Sequence, residues 1–144
     1  MTYWLCIVNR ENWKSVLTHE VWGVSERHRN TISRVKVGHE LLFYVVSEQC
    51  DSERLESAVC GRAEVASDVF KDTKRIFTSG KGEVYPLRIK LQNVVSFGEI
   101  PFKPLILDLS FIKNKKRWSG HLQGKAMRML PESDAAVILQ AAEK

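Results

Sequence analysis

Two of the four tryptophans in this chain sit where a ring could meet a ligand. Trp22 lies in "VWGVS" and Trp118 in "RWSGH", each in what reads as a loop beside small and polar residues. Rings at loop ends are how proteins stack a nucleobase or enclose a cation. They are equally how a barrel caps its open end, and the residues alone leave the two readings level. Trp118 directly follows "KNKKR" (113–117). Cations beside a stacking ring meet the two needs of nucleic-acid binding, phosphate attraction and a base platform. "KRIF" (74–77) repeats the theme more weakly. A solvated basic loop is the plain alternative for both.

Catalytic chemistry finds less support. There is no GxSxG, phosphate-binding glycine loop, HExxH, or HxE with a downstream cysteine pair. His19, His28, His39 and His121 show no ligand spacing, and Asp68 and Asp72 are loop carboxylates without an obvious partner. Cys6, Cys50 and Cys60 form no CxxC pair; Cys6 and Cys60 lie in apolar runs, Cys50 in a polar one. The expectation is a protein that binds without metal or cofactor and performs no reaction.

The elements around these residues can be read from periodicity. "YWLCIVN" (3–9) is a buried strand, and Asn9 caps a helix whose Trp13, Val16 and Leu17 share a face. Trp4 and Trp13 are therefore core. "SERHRNTISRV" is a weaker helical turn that Ser25 could cap, with Ile32 and Val35 inward. Gly38 turns the chain into a strand over 40–47, "DSERLES" is a hairpin-like loop, and 58–67 is an antiparallel strand whose glycine marks a bulge. In "VYPLRIKLQNVVSF" (84–97), Leu87, Ile89 and Leu91 alternate with Arg88 and Lys90, which are expected to point outward. "IPFKPLILDLSFI" is an apolar turn or helix and "GKAMRML" a short strand. "PESDAAVILQAAEK" is a final helix with acids in its first turn, favourable to the helix dipole.

The sum is α+β: a small curved mixed β-barrel of five or six strands with short helices packed on it, one domain over 1–144. A net charge of +5, from 22 basic and 17 acidic side chains, permits an anionic partner without requiring one. No apolar run reaches a membrane span and no secretory signal is visible, so an intracellular, cytoplasmic protein is expected.

In order, "YWLCIVNREN", "HEVWGV", "NTISRVKVGHELLFYV", "YPLRIKL" and "PFKPLILDLSFIKNKKRWSGHLQGKAMRMLPESD" closely resemble the EVE domain family, most of all its archaeal-type branch. The resemblance runs from about Tyr3 to Asp134. It implies a PUA-like fold and kinship with YTH domains, which read a methylated base in RNA through an aromatic cage. It further implies recognition of a modified base in RNA or DNA. By that correspondence Trp22 is one wall of the pocket with Gly23 beside it, Tyr85 is the second wall, and Asn9 and Arg10 end the first strand as polar contacts. Trp118 and His121 lie in a loop that could close the pocket. Discrimination of the base edge would fall to Asn9, Ser33 or backbone groups. Arg10, Lys113, Lys115, Lys116 and Arg117 are the expected phosphate contacts, and the "SERHR" run would sit at the rim. A small-molecule or mononucleotide binder is the second reading, and an enzyme on modified bases the third.

Overall fold

Asn9 ends the first strand and starts the first helix. β1 is Tyr3–Val8 and α1 is Arg10–His19. Between them Asn9 has extended backbone, and its Oδ1 accepts the Asn12 N–H at 2.7 Å, which satisfies one of the orphan donors of the helix start. The computed structural model describes residues 1–122 and 124–143. The chain continues through β2 (Val21–Val24), α2 (Arg29–Ile32), β3 (Glu40–Val45), β4 (Glu48–Cys50), β5 (Glu53–Leu55), β6 (Ala58–Val65), β7 (Phe70–Lys71), β8 (Leu87–Pro101), β9 (Met127–Leu130) and α3 (Glu132–Ala142). Short 3-10 turns occupy Glu26–His28, Lys103–Asp108 and Trp118–His121. Residue 144, inside the expected final helix, lies outside the described residues.

The main sheet runs β2-β8-β6-β3-β1-β9, with β7 also on β8. β1 and β3 are parallel; the other pairs are antiparallel. The sheet curls into a half-barrel whose end strands, β2 and β9, are not paired to each other. The nine strands among the described residues exceed the five or six expected because β4 and β5 form a separate hairpin of three-residue strands and β7 has two residues. Elements that short leave almost no periodic trace in a sequence.

The central strands are covered on both faces. In β3, Leu41, Phe43 and Val45 enter an inner core with Trp4, Trp13 and Trp22, while Leu42 and Tyr44 enter an outer core with Phe102, Leu109 and Ile138. Cys6 and Cys60 are buried, and desolvation pushes the Cys6 thiol well up and that of Cys60 to about 12; Cys50 is exposed. Burial on both faces also corrects one expectation. Arg88 does not point outward: it is 1% exposed, because β2 and β7 flank the start of β8 and the 72–86 loop covers it. Asp134 does more than favour the helix dipole. It is buried, and accepts from Ser110 N at 2.8 Å, Ser110 Oγ at 3.0 Å and Phe111 N at 2.9 Å.

Gly61 is the expected bulge, where the register of β6 slips against both neighbours. A Cβ there would lie 2.5 Å from the Trp13 ring and 2.5 Å from the Val95 carbonyl. Gly61→Ala is therefore expected to cost about 2–3 kcal/mol in a urea titration, as overpacking of a filled core. A loss below about 0.5 kcal/mol would show that Trp13 moves aside freely.

Candidate functional site

The parallel pair β1 and β3 ends at one place. Val46 N donates to Val8 O at 3.1 Å, and Ile7 N donates to Ala126 O at 2.9 Å, so the segment before β9 closes against the same strand ends. A cavity of about 340 Å³ opens there. That is near the lower limit of the roughly 300–1,000 Å³ usual for ligand sites.

Its aromatic walls come from two directions. Trp22 projects from β2, 3% exposed and edge-on to Phe43 at 5.7 Å. Phe77 and Tyr85 come from the loop between β7 and β8 and meet edge-to-face at 6.0 Å. Gly23 lets that loop close on β2: an added Cβ would lie 2.9 Å from the Phe77 ring, 3.0 Å from Tyr85 O and 3.2 Å from Arg88 Cγ. The loop is fastened at both ends. The Asn12 carboxamide donates to Thr78 O at 2.8 Å and accepts from Thr78 N at 2.7 Å. Arg88 Nε donates to Tyr85 O at 3.0 Å, and its Nη2 donates to Val84 O at 2.9 Å and to Lys74 O. Tyr85 itself is held in the left-handed region, φ +51°, which a residue with a Cβ rarely adopts without such fastening.

Two donors on the lining residues have no protein partner among the described residues. Trp22 Nε1 is buried with no hydrogen bond, a costly state for an N–H removed from water. Asn9 uses its Oδ1 for the helix cap, and its Nδ2 donates to no group among the described residues. At the rim stand Arg27, His28 and Lys125. Burial and then the neighbouring Arg27 charge pull the His28 pKa down against a smaller opposing pull from Glu83, and its Nε2 accepts from Arg27 Nε at 3.2 Å. No carboxylate or thiol is among the described residues lining the cavity.

The structure thus brings Asn9, Trp22, Gly23 and Tyr85 together, but Trp22 is a strand residue and not a loop one. Ser33 is elsewhere: it is exposed at the end of α2, its hydroxyl donating to Asn30 O. Trp118 packs on Phe102 at 5.5 Å in the outer core, and His121 Nε2 accepts from Asn114 N at 3.1 Å; neither lines this cavity. The expected phosphate set divides. Arg10 is engaged by Glu48 at 3.0 Å, Glu99 at 2.7 Å and the carbonyls of Val46 and Glu56. Lys115 Nζ donates to Ile106 O and Leu109 O, closing the 3-10 turn before it. Lys113, Lys116 and Arg117 are exposed and away from the cavity lining. Asn12, Phe77 and Lys125 were not singled out from sequence as cavity residues. The signal for Phe77 was present in "KRIF", and that for Arg27 and His28 in the "SERHR" run.

A family model described as EVE domain matches residues 2–141. The chain belongs to this family. The EVE domain is 54% identical over 139 residues to a UPF0310 protein of Pyrococcus abyssi, covering 96% of this chain and 97% of that one. A UPF0310 protein of Pyrococcus horikoshii is 52% identical over 141 residues, with the same coverages of 96% and 97%. Among solved structures, human THYN1 protein in complex with 5-methylcytosine-containing DNA superposes with a TM-score of 0.62 at 15% identity, covering 100% of this chain and 99% of that one. The YTH domain of Zygosaccharomyces rouxii MRB1 protein, in complex with N6-methyladenosine RNA, gives 0.65 at 15% identity, covering 99% and 85%. At such identities the likeness is one of fold, and it places this EVE domain among PUA-like half-barrels.

Proposed function

We propose that this EVE domain is a nucleic-acid-binding module with no chemistry of its own, which takes a modified nucleobase out of DNA or RNA into the cavity beside Trp22. The observation that carries the reading is the pairing of an aromatic enclosure with two unengaged donors, the buried Trp22 indole N–H and the carboxamide N–H of half-buried Asn9. A base stacked on Tyr85 and Trp22 gains about 1–3 kcal/mol per stack, and an added methyl group contributes under about 1 kcal/mol of apolar burial. The open donors, Trp22 Nε1 and Asn9 Nδ2, suit a base edge that presents acceptors. Leaving such a group unmatched costs about 1–3 kcal/mol, more than the methyl provides. The polar groups therefore select the base, and the rings favour its modification. Arg27 and Lys125 at the rim serve the flanking phosphates. The complexes of THYN1 with methylated DNA and of the YTH domain with methylated RNA support the reading.

The test is fluorescence anisotropy with single-stranded DNA and RNA carrying a central 5-methylcytosine, N6-methyladenine or the unmodified base. Wild type should prefer one modified probe by a few-fold, and Tyr85→Ala should weaken that probe about tenfold or more. Affinity should fall steeply between about 50 and 200 mM salt, and Arg27→Ala and Lys125→Ala should each lower the salt slope by about one. Equal binding by Tyr85→Ala would remove the cavity from the mechanism. A shallow slope with tight binding of the free nucleotide would favour a mononucleotide site.

A further inference from the structure

A second cavity, of about 670 Å³, lies on the opposite face of the sheet and meets the first over the same strand ends. Ile7, Val46, Gly124 and Lys125 line both. Val8 turns into the inner core, whereas Ile7 packs against the outer one, so the two cavities are separated by the thickness of β1 and joined around its end. The second cavity has features of its own. Trp118, half-buried, rests on Phe102 and lines it. Ser57, 2% exposed, also lines it, and its Oγ has no hydrogen bond of acceptable geometry. That hydroxyl lies near enough to the Tyr44 phenol to offset part of the upward push burial gives the phenol. Arg54, Lys103 and Lys125 stand around the mouth; Lys103 is paired with Glu56 at 3.2 Å, while Lys125 forms no salt bridge among the described residues.

Resting on the reading of the first cavity, we infer that this second cavity holds the nucleotide next to the modified one. The neighbouring base stacks on Trp118 and meets the Ser57 hydroxyl, and the phosphate between the two nucleotides crosses the shared rim at Lys125. Two consecutive bases on opposite faces of one sheet cannot remain stacked on each other. The footprint therefore demands a splayed single strand, the state in which base faces and edges are open to side chains. It also assigns Trp118 the stacking role that its place beside a basic run suggests, but for a different base from the one Trp22 and Tyr85 enclose.

The experiment uses the full chain and fluorescein-labelled single-stranded nine-mers carrying the modified base preferred by wild type. In one set the central base is replaced by an abasic site, in a second set the base on one side, and in a third the base on the other. Trp118→Leu keeps apolar contact with Phe102 and removes the stacking face; Trp118→Phe restores a ring. Wild type should lose about tenfold in affinity when one particular flanking base is removed. Trp118→Leu should bind the complete probe about tenfold more weakly and be indifferent to loss of that flanking base, while Trp118→Phe regains most of the affinity. Tyr85→Ala should show the mirror pattern, a penalty for loss of the central base several-fold smaller than that of wild type and an undiminished response to loss of the flanking base, because Trp22 still stacks on the central base. If wild type and Trp118→Leu respond equally to every flanking abasic site, the second site is overturned while the first stands. If Tyr85→Ala loses as much affinity as wild type does with the central base, the reading of the first cavity fails instead.

Discussion

Trp22→Ala is expected to destabilise the free protein by about 3–5 kcal/mol, as much as Trp13→Ala. The sequence placed Trp22 in a loop, where truncation would be cheap. In the structure it lies in β2 opposite Ile89, 3% exposed, and its ring meets Phe43 edge-on at 5.7 Å. Trp13 meets the same Phe43 at 4.8 Å. The two indoles therefore grip one phenylalanine from two elements, and removing either leaves a cavity that the half-barrel cannot easily collapse. Because they share Phe43, the double variant should lose less than the sum of the singles in urea titration. Trp22→Phe separates the two duties of the residue. It keeps most of the apolar contact and removes an N–H that has no partner in the free protein, so its stability loss should be well below that of the alanine variant. Its affinity for the preferred oligonucleotide should still fall several-fold. A loss under about 1 kcal/mol for Trp22→Ala would show a wall held apart from the core.

The contrast shows which parts of this fold can be read from a sequence. Asn9, the bulge at Gly61, the turn at Gly38 (φ +93°) and the inward Ile32 and Val35 depend on neighbours a few residues away, and each is found where expected. Long-range pairing leaves no such trace. Arg10 looked like a phosphate contact because its charge is local, but its partner Glu99 stands 89 residues away. Lys115 looked the same within "KNKKR", and it is a backbone clamp instead. Four of the residues expected at the base site came together because the curl of the sheet brings β2 to the end of β1, and the 72–86 loop packs on Gly23. Trp118 and His121 did not, because their loop covers the outer face. Arg88 was misread for a related reason: alternation reports one solvated face, and the start of β8 has none.

Arg88→Met is the other substitution expected to have a large effect. Its guanidinium is almost fully buried, and its donors reach Tyr85 O, Val84 O and Lys74 O, with Nη1 3.5 Å from Asp72. It also lies over the Phe77 ring at 5.6 Å. One planar, permanently charged group thus ties both ends of the 72–86 loop to β8 and holds the two rings of the cavity wall between them. Methionine fills much of the same volume but donates nothing, leaving three carbonyls to find water. Asp72 is nearly half exposed and can be solvated, so the loss comes mainly from the carbonyls and should be about 3 kcal/mol. Asp72→Asn, by the same reasoning, should cost under about 1 kcal/mol. The more telling readout is local. Amide exchange across 72–86 should quicken in Arg88→Met far more than in the inner strands β1 and β3, because the loop opens before the sheet does. Oligonucleotide affinity should fall more than tenfold although Arg88 does not line the cavity, since Phe77 and Tyr85 are no longer fixed opposite Trp22. Unchanged exchange in the loop, with affinity intact, would mean that the wall is held by Asn12 and Gly23 alone. The arginine would then be only a buried anchor for β8.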